Sequence, residues 1–339
     1  MKRPRRISAV SWILAALIGL AACGQPTFTP DVEVAPSVPP TIDDPIPTPT
    51  NSAWVKYSAM PDPRFETTAV SLDGFIYVPG GLTARNSHKT LLRYDPASDA
   101  WTELSSLPDF RNHIGITTFE GKIFLSGGIY GEFFFDGQAR TFWVYDPQTD
   151  AWSSLTDMPT GRAAHGMAVI DGKFYVVGGV LSPGGDNSEL WVYDPSTQTW
   201  DTSRAHLPTP RDHLIVVAYD GKLYTIGGRY SDNLPTVEIY DPATDTWTQG
   251  PDMPTARSGM GYAILNGQLH TIAGEDVERK RVYMKHEVLD FESLTWTQLP
   301  DIPWPLNAPV VAELGDEIFV MGGASAPGYP YKDIWKFTP

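Results

Sequence analysis

Apolar and polar positions along the chain follow a repeating pattern that predicts short β-strands. An apolar run such as that in GKFYVVGG, at 172–179, stops at two adjacent glycines. Such pairs occur at Gly80-Gly81, Gly127-Gly128, Gly178-Gly179, Gly227-Gly228 and Gly322-Gly323, with Ala273-Gly274 as an imperfect member. Successive pairs lie 46 to 51 residues apart, which indicates six repeats. Because the runs do not alternate strictly, we expect these strands to be covered on both faces.

Each repeat contains the same elements in the same order. A proline-containing entry segment precedes a first apolar run, and a two-residue turn such as Asp171-Gly172 leads into the second run. Dipeptides of this kind supply the positive φ that two-residue hairpins require. A third run ends at Tyr94, Tyr145, Tyr193 or Tyr240, and a tryptophan follows seven residues later at Trp101, Trp152, Trp200 or Trp247. Each repeat is therefore predicted to form a four-stranded antiparallel sheet.

The sixth repeat lacks its fourth strand, because the sequence ends at Pro339 before any tryptophan. The segment SAWVKYSAMPDPR, at 52–64, matches DAWSSLTDMPTGR, at 150–162, and provides Trp54 at the missing position. We expect the N-terminal strand around Trp54 to complete the last sheet, so that the ring has no open edge.

The glycine pair, the tyrosine and the tryptophan resemble the kelch family in order and spacing. The resemblance covers nearly all of 53–339 and implies an all-β fold, a six-bladed kelch-type β-propeller. It also implies that recognition belongs to the loops between second and third strands, on the face that carries the entry segments. We expect a single monomeric domain over 53–339.

The first 52 residues differ from the repeats in composition. Basic residues followed by an apolar stretch predict a signal peptide over 1–22. Leu20 to Cys23 resembles the lipobox of bacterial lipoproteins, which makes Cys23, the single cysteine of the chain, the predicted lipidation site. Residues 23–52 are rich in proline and threonine and predict an extended tether. An exported protein, lipid-anchored on the outer side of a bacterial membrane in the cell envelope, is expected.

Composition and charge restrict the partners. The chain is 42% hydrophobic and 12% aromatic, enough to bury a large core. Removing the four basic residues of the predicted signal peptide takes the formal net charge from −15 to −19. Such an acidic domain argues against nucleic acid as a partner.

Entry segments supply the candidate chemistry. Five of them carry an arginine, and this repetition favours a bracing role over an anion-binding ring; the residues are Arg64, Arg111, Arg162, Arg211 and Arg257. Two positions later the residues differ and include Glu66, His113 and His213, which with Arg229 are the candidate catalytic groups. We expect the intervening blade to hold His113 and His213 too far apart to bind one metal ion. Neither a metal nor a cofactor is expected.

Variable loops after the glycine pairs supply candidate ligand-binding residues. Exposed aromatic side chains there indicate a ligand platform, although they could instead pack on the domain surface. The candidates are Tyr130, Phe133, Phe134, Arg229, Tyr230, Glu275 and Tyr329. A run of charges at 275–281 favours a solvated loop tip over a contact with a charged partner.

Three classes of function fit these features. A tethered binding module for a glycan, peptide or protein ligand is favoured by the predicted anchor and the variable loops. The kelch resemblance also includes the periplasmic N-acetylneuraminate epimerase, a sialic acid mutarotase, which needs a general acid or base and a cation for a carboxylate. An architectural subunit of an envelope complex is the third class. A copper oxidase similar to galactose oxidase is disfavoured. That family crosslinks a tyrosine to a cysteine, whereas the single cysteine of this chain, Cys23, lies in the predicted anchor.

Overall fold

Hairpins around the predicted two-residue turns begin every repeat. The computed structural model describes residues 54–133, 136–182, 188–326 and 329–339. In the first repeat Leu72 pairs with Phe75 across Asp73 (φ 51°) and Gly74 (φ 82°), which are the left-handed torsions that such a turn requires. Cys23 and Phe134 lie outside the described residues. Within the described part of the chain, no helix is long and apolar enough to cross a membrane.

Six four-stranded antiparallel sheets result, and they confirm the predicted six-bladed β-propeller. The first three blades consist of Val70–Leu72, Phe75–Pro79, Leu91–Asp95 and Ala100–Leu104; Gly115–Phe119, Lys122–Ser126, Phe142–Asp146 and Ala151–Ser154; and Gly166–Ile170, Lys173–Val177, Leu190–Asp194 and Thr199–Asp201. The last three consist of Ile215–Tyr219, Lys222–Ile226, Val237–Asp241 and Thr246–Gln249; Gly261–Leu265, Gln268–Ile272, His286–Asp290 and Thr295–Leu299; and Val310–Leu314, Glu317–Met321, Ile334–Phe337 and Trp54–Tyr57.

Short strands outside the blades pair entry segments and loops. They are Arg111–Asn112, Ile129–Tyr130, Gly137–Gln138, Gly161–Ala163, Val180–Ser182, Glu275–Asp276 and Arg281–Val282.

The hydrophobic core lies between neighbouring blades. Six large clusters of buried side chains each combine residues of two consecutive blades, including one cluster that joins the sixth blade to the first. The second strand of each blade contributes to both of its interfaces. In Lys173–Val177, for example, the four residues after the lysine are all buried. This two-sided burial explains why the second strands lack polar alternation.

The N-terminal strand closes the ring as predicted. Trp54 pairs with Phe337 in the register that joins Trp152 to Tyr145 in the second blade. Its side chain is 4% exposed, and its ring centroid lies 5.0 Å from that of Phe337. The sixth sheet therefore takes one strand from the N-terminal side of the repeats and three from the C-terminal side, which gives it the same four strands as the other five.

The glycine pairs dock each blade onto the next entry segment. In the second blade the Gly128 amide donates to the Arg162 carbonyl at 2.9 Å, and a Cβ on Gly127 (φ 57°) would lie 2.2 Å from that oxygen. A side chain is thus excluded by contact and by conformation. Equivalent bonds join Gly81 to Arg111, Gly179 to Arg211, Gly228 to Arg257, Gly274 to Leu306 and Gly323 to Arg64.

The repeated arginines are buried at these same contacts. Arg162 is fully buried, and its Nη1 donates to the carbonyls of Gly178 and Glu189 at 3.0 and 2.9 Å. The guanidinium carbon lies 3.6 Å from the centroid of the Trp191 ring. Desolvation lowers the pKa of Arg162 to about 9. Because all five of these arginines are at most 3% exposed, they support a bracing role and not an anion-binding ring.

Ring closure generates a prediction for Trp54. We expect Trp54→Ala to lower the free energy of unfolding by about 3–5 kcal/mol, because it leaves a cavity between the last blade and its neighbour. Val55 lies on the same strand but is 51% exposed, so Val55→Ala should change stability by about 0.5 kcal/mol or less. Urea titrations of both variants test this, and equal effects would show that the N-terminal strand does not secure the ring.

Candidate functional site

Six residues, one from each entry segment, form a ring that we call the channel ring. Its members line the central channel, and all have left-handed torsions with φ between 42° and 57°: Glu66, His113, Ala164, His213, Gly259 and Ala308. Each amide from the second to the sixth member donates to the carbonyl of the member before it, at distances of 2.8 to 3.2 Å. The ring members, which include the candidate catalytic residues Glu66, His113 and His213, are therefore connected directly from blade to blade.

Antiparallel pairing places the channel ring beside the glycine pairs. The residue before each ring member pairs with the residue after a glycine pair, as Phe65 does with Leu82 and Asp212 with Arg229. The chain then turns sharply into the first strand of the blade, and the left-handed torsion makes this turn. Such a torsion costs about 1–2 kcal/mol for a residue with a side chain. Only one of the six members is a glycine, so the surrounding bonds must stabilise the other five.

A cavity of about 980 Å³ opens on one side of the channel ring. Phe65, Leu82, Ile129 and Val180 contribute apolar walls, and four ring members also line it. This volume is at the upper end of the range for small-molecule sites. A smaller space of about 100 Å³ lies along the channel and is lined by all six ring members. The ring is thus shared between the two spaces.

His213 is held in one tautomer by a carboxylate and a guanidinium. Its Nδ1 contacts Asp212 Oδ1 at 2.5 Å, and its Nε2 lies 3.1 Å from Arg229 Nη2. Because a carboxylate only accepts and a guanidinium only donates, Nδ1 carries the hydrogen and Nε2 presents its lone pair. The imidazole is therefore neutral in this arrangement.

His113 contacts a carboxylate with its other nitrogen. Asn112 Nδ2 donates to Ser87 Oγ at 2.8 Å, which turns Asn112 Oδ1 toward His113 Nδ1. His113 Nε2 lies 3.2 Å from Glu66 Oε2. Burial lowers the pKa of His113 well below its usual value, and the nearby His213 and Arg229 lower it further. With hydrogen on Nδ1, this contact places a lone pair against a carboxylate oxygen, and only a cation or a proton between them makes it favourable.

The expected separation of His113 and His213 is wrong. Their ring centroids are 5.2 Å apart at an interplanar angle of 85°, and donor atoms of Glu66, His113 and His213 all lie within 4.8 Å of one another. The intervening blade contributes the short side chain of Ala164 at this position of the ring. A group of residues that fits a metal ion therefore exists where the sequence predicted none.

Arg229 and Glu275 lie beside the channel ring, at the first position after their glycine pairs. Arg229 Nη1 donates to Glu275 Oε1 at 2.7 Å, and Asn307 Nδ2 donates to Glu275 Oε2 at 3.0 Å. In the other four blades this position holds an apolar residue, at Leu82, Ile129, Val180 and Ala324. The charged pair therefore belongs only to the side of the cavity formed by the fourth and fifth blades.

The aromatic candidates lie on exposed loops and are not part of the cavity lining. Tyr130 and Tyr329 are 37% and 39% exposed, and Phe133 and Tyr230 are 71% and 70% exposed. Arg111 lies 5.9 Å from the Tyr130 ring centroid. The structure thus separates the predicted residues into a charged group at the cavity and an aromatic group on the surrounding loops.

Charges of the fifth loop are partly paired with neighbouring loops. Arg279 Nη1 contacts Asp276 Oδ2 at 2.8 Å and Asp232 Oδ1, on the fourth loop, at 3.2 Å. Lys280 and Arg281 are exposed and line the cavity.

Sequence reasoning missed the residues that orient the site. Asn112, Asp212 and Asn307 directly precede ring members and bond to His113, His213 and Glu275 respectively. The available signal was variation at this position, which reads Phe65, Asn112, Ala163, Asp212, Ser258 and Asn307 across the repeats. Polar residues at a position that is otherwise apolar or small would have marked them.

Comparisons with known proteins agree with the repeat architecture. The model of the KLHDC2/KLHL20/DRC7 Kelch-repeats domain matches residues 47–179 and 156–323. Kelch-like protein 15 of Danio rerio is 28% identical over 151 residues, which cover 38% of this chain and 25% of that protein. Kelch-like protein terF of Aspergillus terreus is 29% identical over 200 residues, covering 55% of this chain and 43% of that protein. The chain thus spans less than half the length of these relatives.

A solved structure of YjhT has the same fold. It aligns with a TM-score of 0.69 and 20% sequence identity, and the alignment covers 83% of this chain and 97% of that chain. At this identity the likeness shows the fold alone.

The channel ring generates a prediction about backbone strain. A Cβ on Gly259 (φ 57°) would make only ordinary contacts, the nearest at 3.7 Å from Glu275, so Gly259→Ala should cost about 1 kcal/mol through its torsion. Ala164→Gly removes the same strain but raises the conformational entropy of the unfolded chain. The free energy of unfolding should therefore increase by at most about 1 kcal/mol. Denaturant unfolding of both variants measures the difference, and a stabilising Gly259→Ala would contradict the strained ring.

Proposed function

Because this chain belongs to the KLHDC2/KLHL20/DRC7 Kelch-repeats domain family, we propose that it is a binding module whose loop face engages a peptide or protein partner. The partner contacts exposed aromatic side chains on the loops and inserts a segment into the cavity above the channel ring. Apolar walls and a charged floor suit a segment with a polar or cationic group at its tip. A glycan is the other ligand that such a platform accommodates.

One observation carries this proposal. Among the described residues, seven large hydrophobic side chains are exposed, and five of them lie on loops between second and third strands: Tyr130, Phe133, Tyr230, Val277 and Tyr329. Scattered exposed apolar residues are normal, but concentration on one face around a cavity is typical of a recognition surface. An architectural subunit would require neither the cavity nor its polar floor.

The N-terminal segment suggests where this binding occurs. We propose that Cys23 is lipidated after removal of 1–22, and that 23–52 hold the propeller away from the outer side of a bacterial membrane. The tetrad ending at Cys23 and the proline-rich composition of 23–52 support this arrangement.

A loop-face experiment tests the binding function. The full chain is used to capture partners from the envelope of its own cells, and each captured protein is purified and titrated directly, beside a glycan array. We expect Phe133→Ala combined with Tyr230→Ala to weaken binding by about 10-fold or more, because exposed aromatic anchors dominate such interfaces.

The matched control is Leu294→Ala, which removes an exposed apolar side chain from a turn between third and fourth strands. These turns lie at the opposite end of the blades from the loop face. The proposal would be overturned if Leu294→Ala weakened binding and the double loop variant did not. The partner would then lie on the face opposite the loops.

A second candidate function is favoured by the contact between Glu66 and His113. A carboxylate and an imidazole that share one proton form a candidate general acid and base, and Arg229 provides a cation nearby for a carboxylate substrate. This arrangement suits a carbohydrate-active enzyme similar to N-acetylneuraminate epimerase.

NMR measurement of sialic acid mutarotation tests this second function. If it is correct, catalytic amounts of the full chain accelerate anomer exchange, and Glu66→Gln reduces the acceleration by about 100-fold or more, because general acid–base groups typically contribute this much. Leu294→Ala should leave the rate unchanged. An exchange rate equal to that in buffer alone would remove the enzyme from consideration.

A further inference from the structure

Three donor atoms converge at the channel ring from three different blades. Oxygen of Glu66 and imidazole nitrogens of His113 and His213 lie within 4.8 Å of one another. The contact between Glu66 Oε2 and His113 Nε2 measures 3.2 Å, close to the separation of about 3.3 Å that two ligands of a tetrahedral zinc ion adopt at ordinary bond lengths. The other donor separations are at most 4.8 Å, so a bound ion requires the His213 imidazole to leave Arg229 and move closer to the other two donors.

Each histidine is oriented by the residue that precedes it. His213 Nδ1 donates to Asp212 Oδ1 at 2.5 Å, and His113 Nδ1 faces Asn112 Oδ1. An acceptor on one imidazole nitrogen fixes the other as a lone-pair donor, and metal-binding histidines almost always have such a partner. The His113 side chain is 9% exposed, and its Nε2 faces an oxygen that also presents a lone pair. The unfavourable contact of this buried imidazole nitrogen with a carboxylate oxygen points to a missing cation, independently of the clustering of the three donors.

The three donor residues and the charged side chains bonded around them carry a negative net charge. Glu66, Asp212 and Glu275 are carboxylates, whereas Arg229 is the one guanidinium bonded within this cluster. With neutral imidazoles the group carries a formal charge of −2, which a divalent cation would neutralise. The exposed Lys280 and Arg281 line the same cavity, but no ion pair joins them to these carboxylates in the described part of the chain.

We propose that Glu66, His113 and His213 bind one divalent transition-metal ion at the mouth of the channel. Two imidazoles and one carboxylate suit zinc and its first-row neighbours better than magnesium or calcium, which prefer oxygen ligands. Three protein ligands leave a coordination position for a carboxylate or another donor of a bound ligand, and all three residues line the cavity that such a ligand would enter. The site goes beyond the binding function and does not depend on the aromatic loop residues.

Arg229 competes with the ion. Its Nη2 donates a hydrogen bond to the lone pair of His213 Nε2 at 3.1 Å, so this lone pair is not available to a metal ion. In addition, a metal cation beside a guanidinium is electrostatically unfavourable. Arg229 also has Glu275 Oε1 at 2.7 Å and Ser258 Oγ at 3.3 Å, so it keeps partners when it leaves the imidazole. Removing this arginine should therefore tighten metal binding rather than weaken it, which a merely structural role of the cluster would not predict.

Calorimetric titration of the chelator-treated, untagged full chain with ZnCl₂ tests the site, with Co²⁺ absorption as a second readout. We expect one ion per chain, and a loss of affinity of about 100-fold or more in Glu66→Gln, His113→Asn and His213→Asn. Asparagine is chosen because it tolerates the left-handed torsions of 54° and 51° at the two histidines. Arg229→Met should raise the affinity, and the tetrahedral visible bands of Co²⁺ should disappear in His113→Asn.

His206→Asn is the matched control, because it removes an exposed histidine outside the channel ring and should leave zinc affinity unchanged. Circular dichroism and unfolding curves establish that each variant is folded. Zinc binding that is absent from the folded wild type, or that persists at the same affinity in all three ligand variants, would overturn the proposal. The Glu66–His113 contact would then be held by a shared proton alone.

Discussion

One backbone hydrogen bond, repeated six times, determines the arrangement of this propeller. The amide of the second residue of each glycine pair donates to the carbonyl of the next blade's entry segment, and the last pair donates to Arg64 of the first blade. This contact brings two main chains together so closely that a Cβ on Gly127 would collide with the Arg162 carbonyl. The glycine pairs are therefore docking surfaces between blades, and the buried arginines and inter-blade clusters stabilise the same junctions.

The site follows from this docking. Once the entry segments are fixed, the residue after each arginine pairs with the residue after a glycine pair, and the next residue turns with a left-handed torsion into the channel ring. Repetition is nearly complete at the docking positions, where Ala273 and Leu306 are the exceptions, whereas four residue types share the six positions of the ring. A scaffold of this kind lets each blade present a different side chain at one rigid place, which is how Glu66, His113 and His213 come together without any local sequence motif.

The fold was predictable because its signals are local. Turn dipeptides such as Asp73-Gly74 specify hairpins within a few residues, and the match between the Trp54 and Trp152 segments predicted the closing strand. The distance between His113 and His213 was not predictable, since their register gives the order of the blades but not the radius of the ring or the space left by Ala164. The contact of Arg229 with His213 likewise depends on a pairing between an entry segment and a loop, which no short pattern specifies.

Hydrogen exchange at the ring amides tests most directly whether the docked entry segments form a rigid platform for the site. Rigid docking predicts that the amides of the five bonded ring members, together with the Gly128 amide, exchange only through global unfolding; the five are His113, Ala164, His213, Gly259 and Ala308. Opening free energies equal to the global free energy of unfolding would agree with it. Exchange of these amides at the rate of the exposed loops, while the blade strands stay protected, would contradict it.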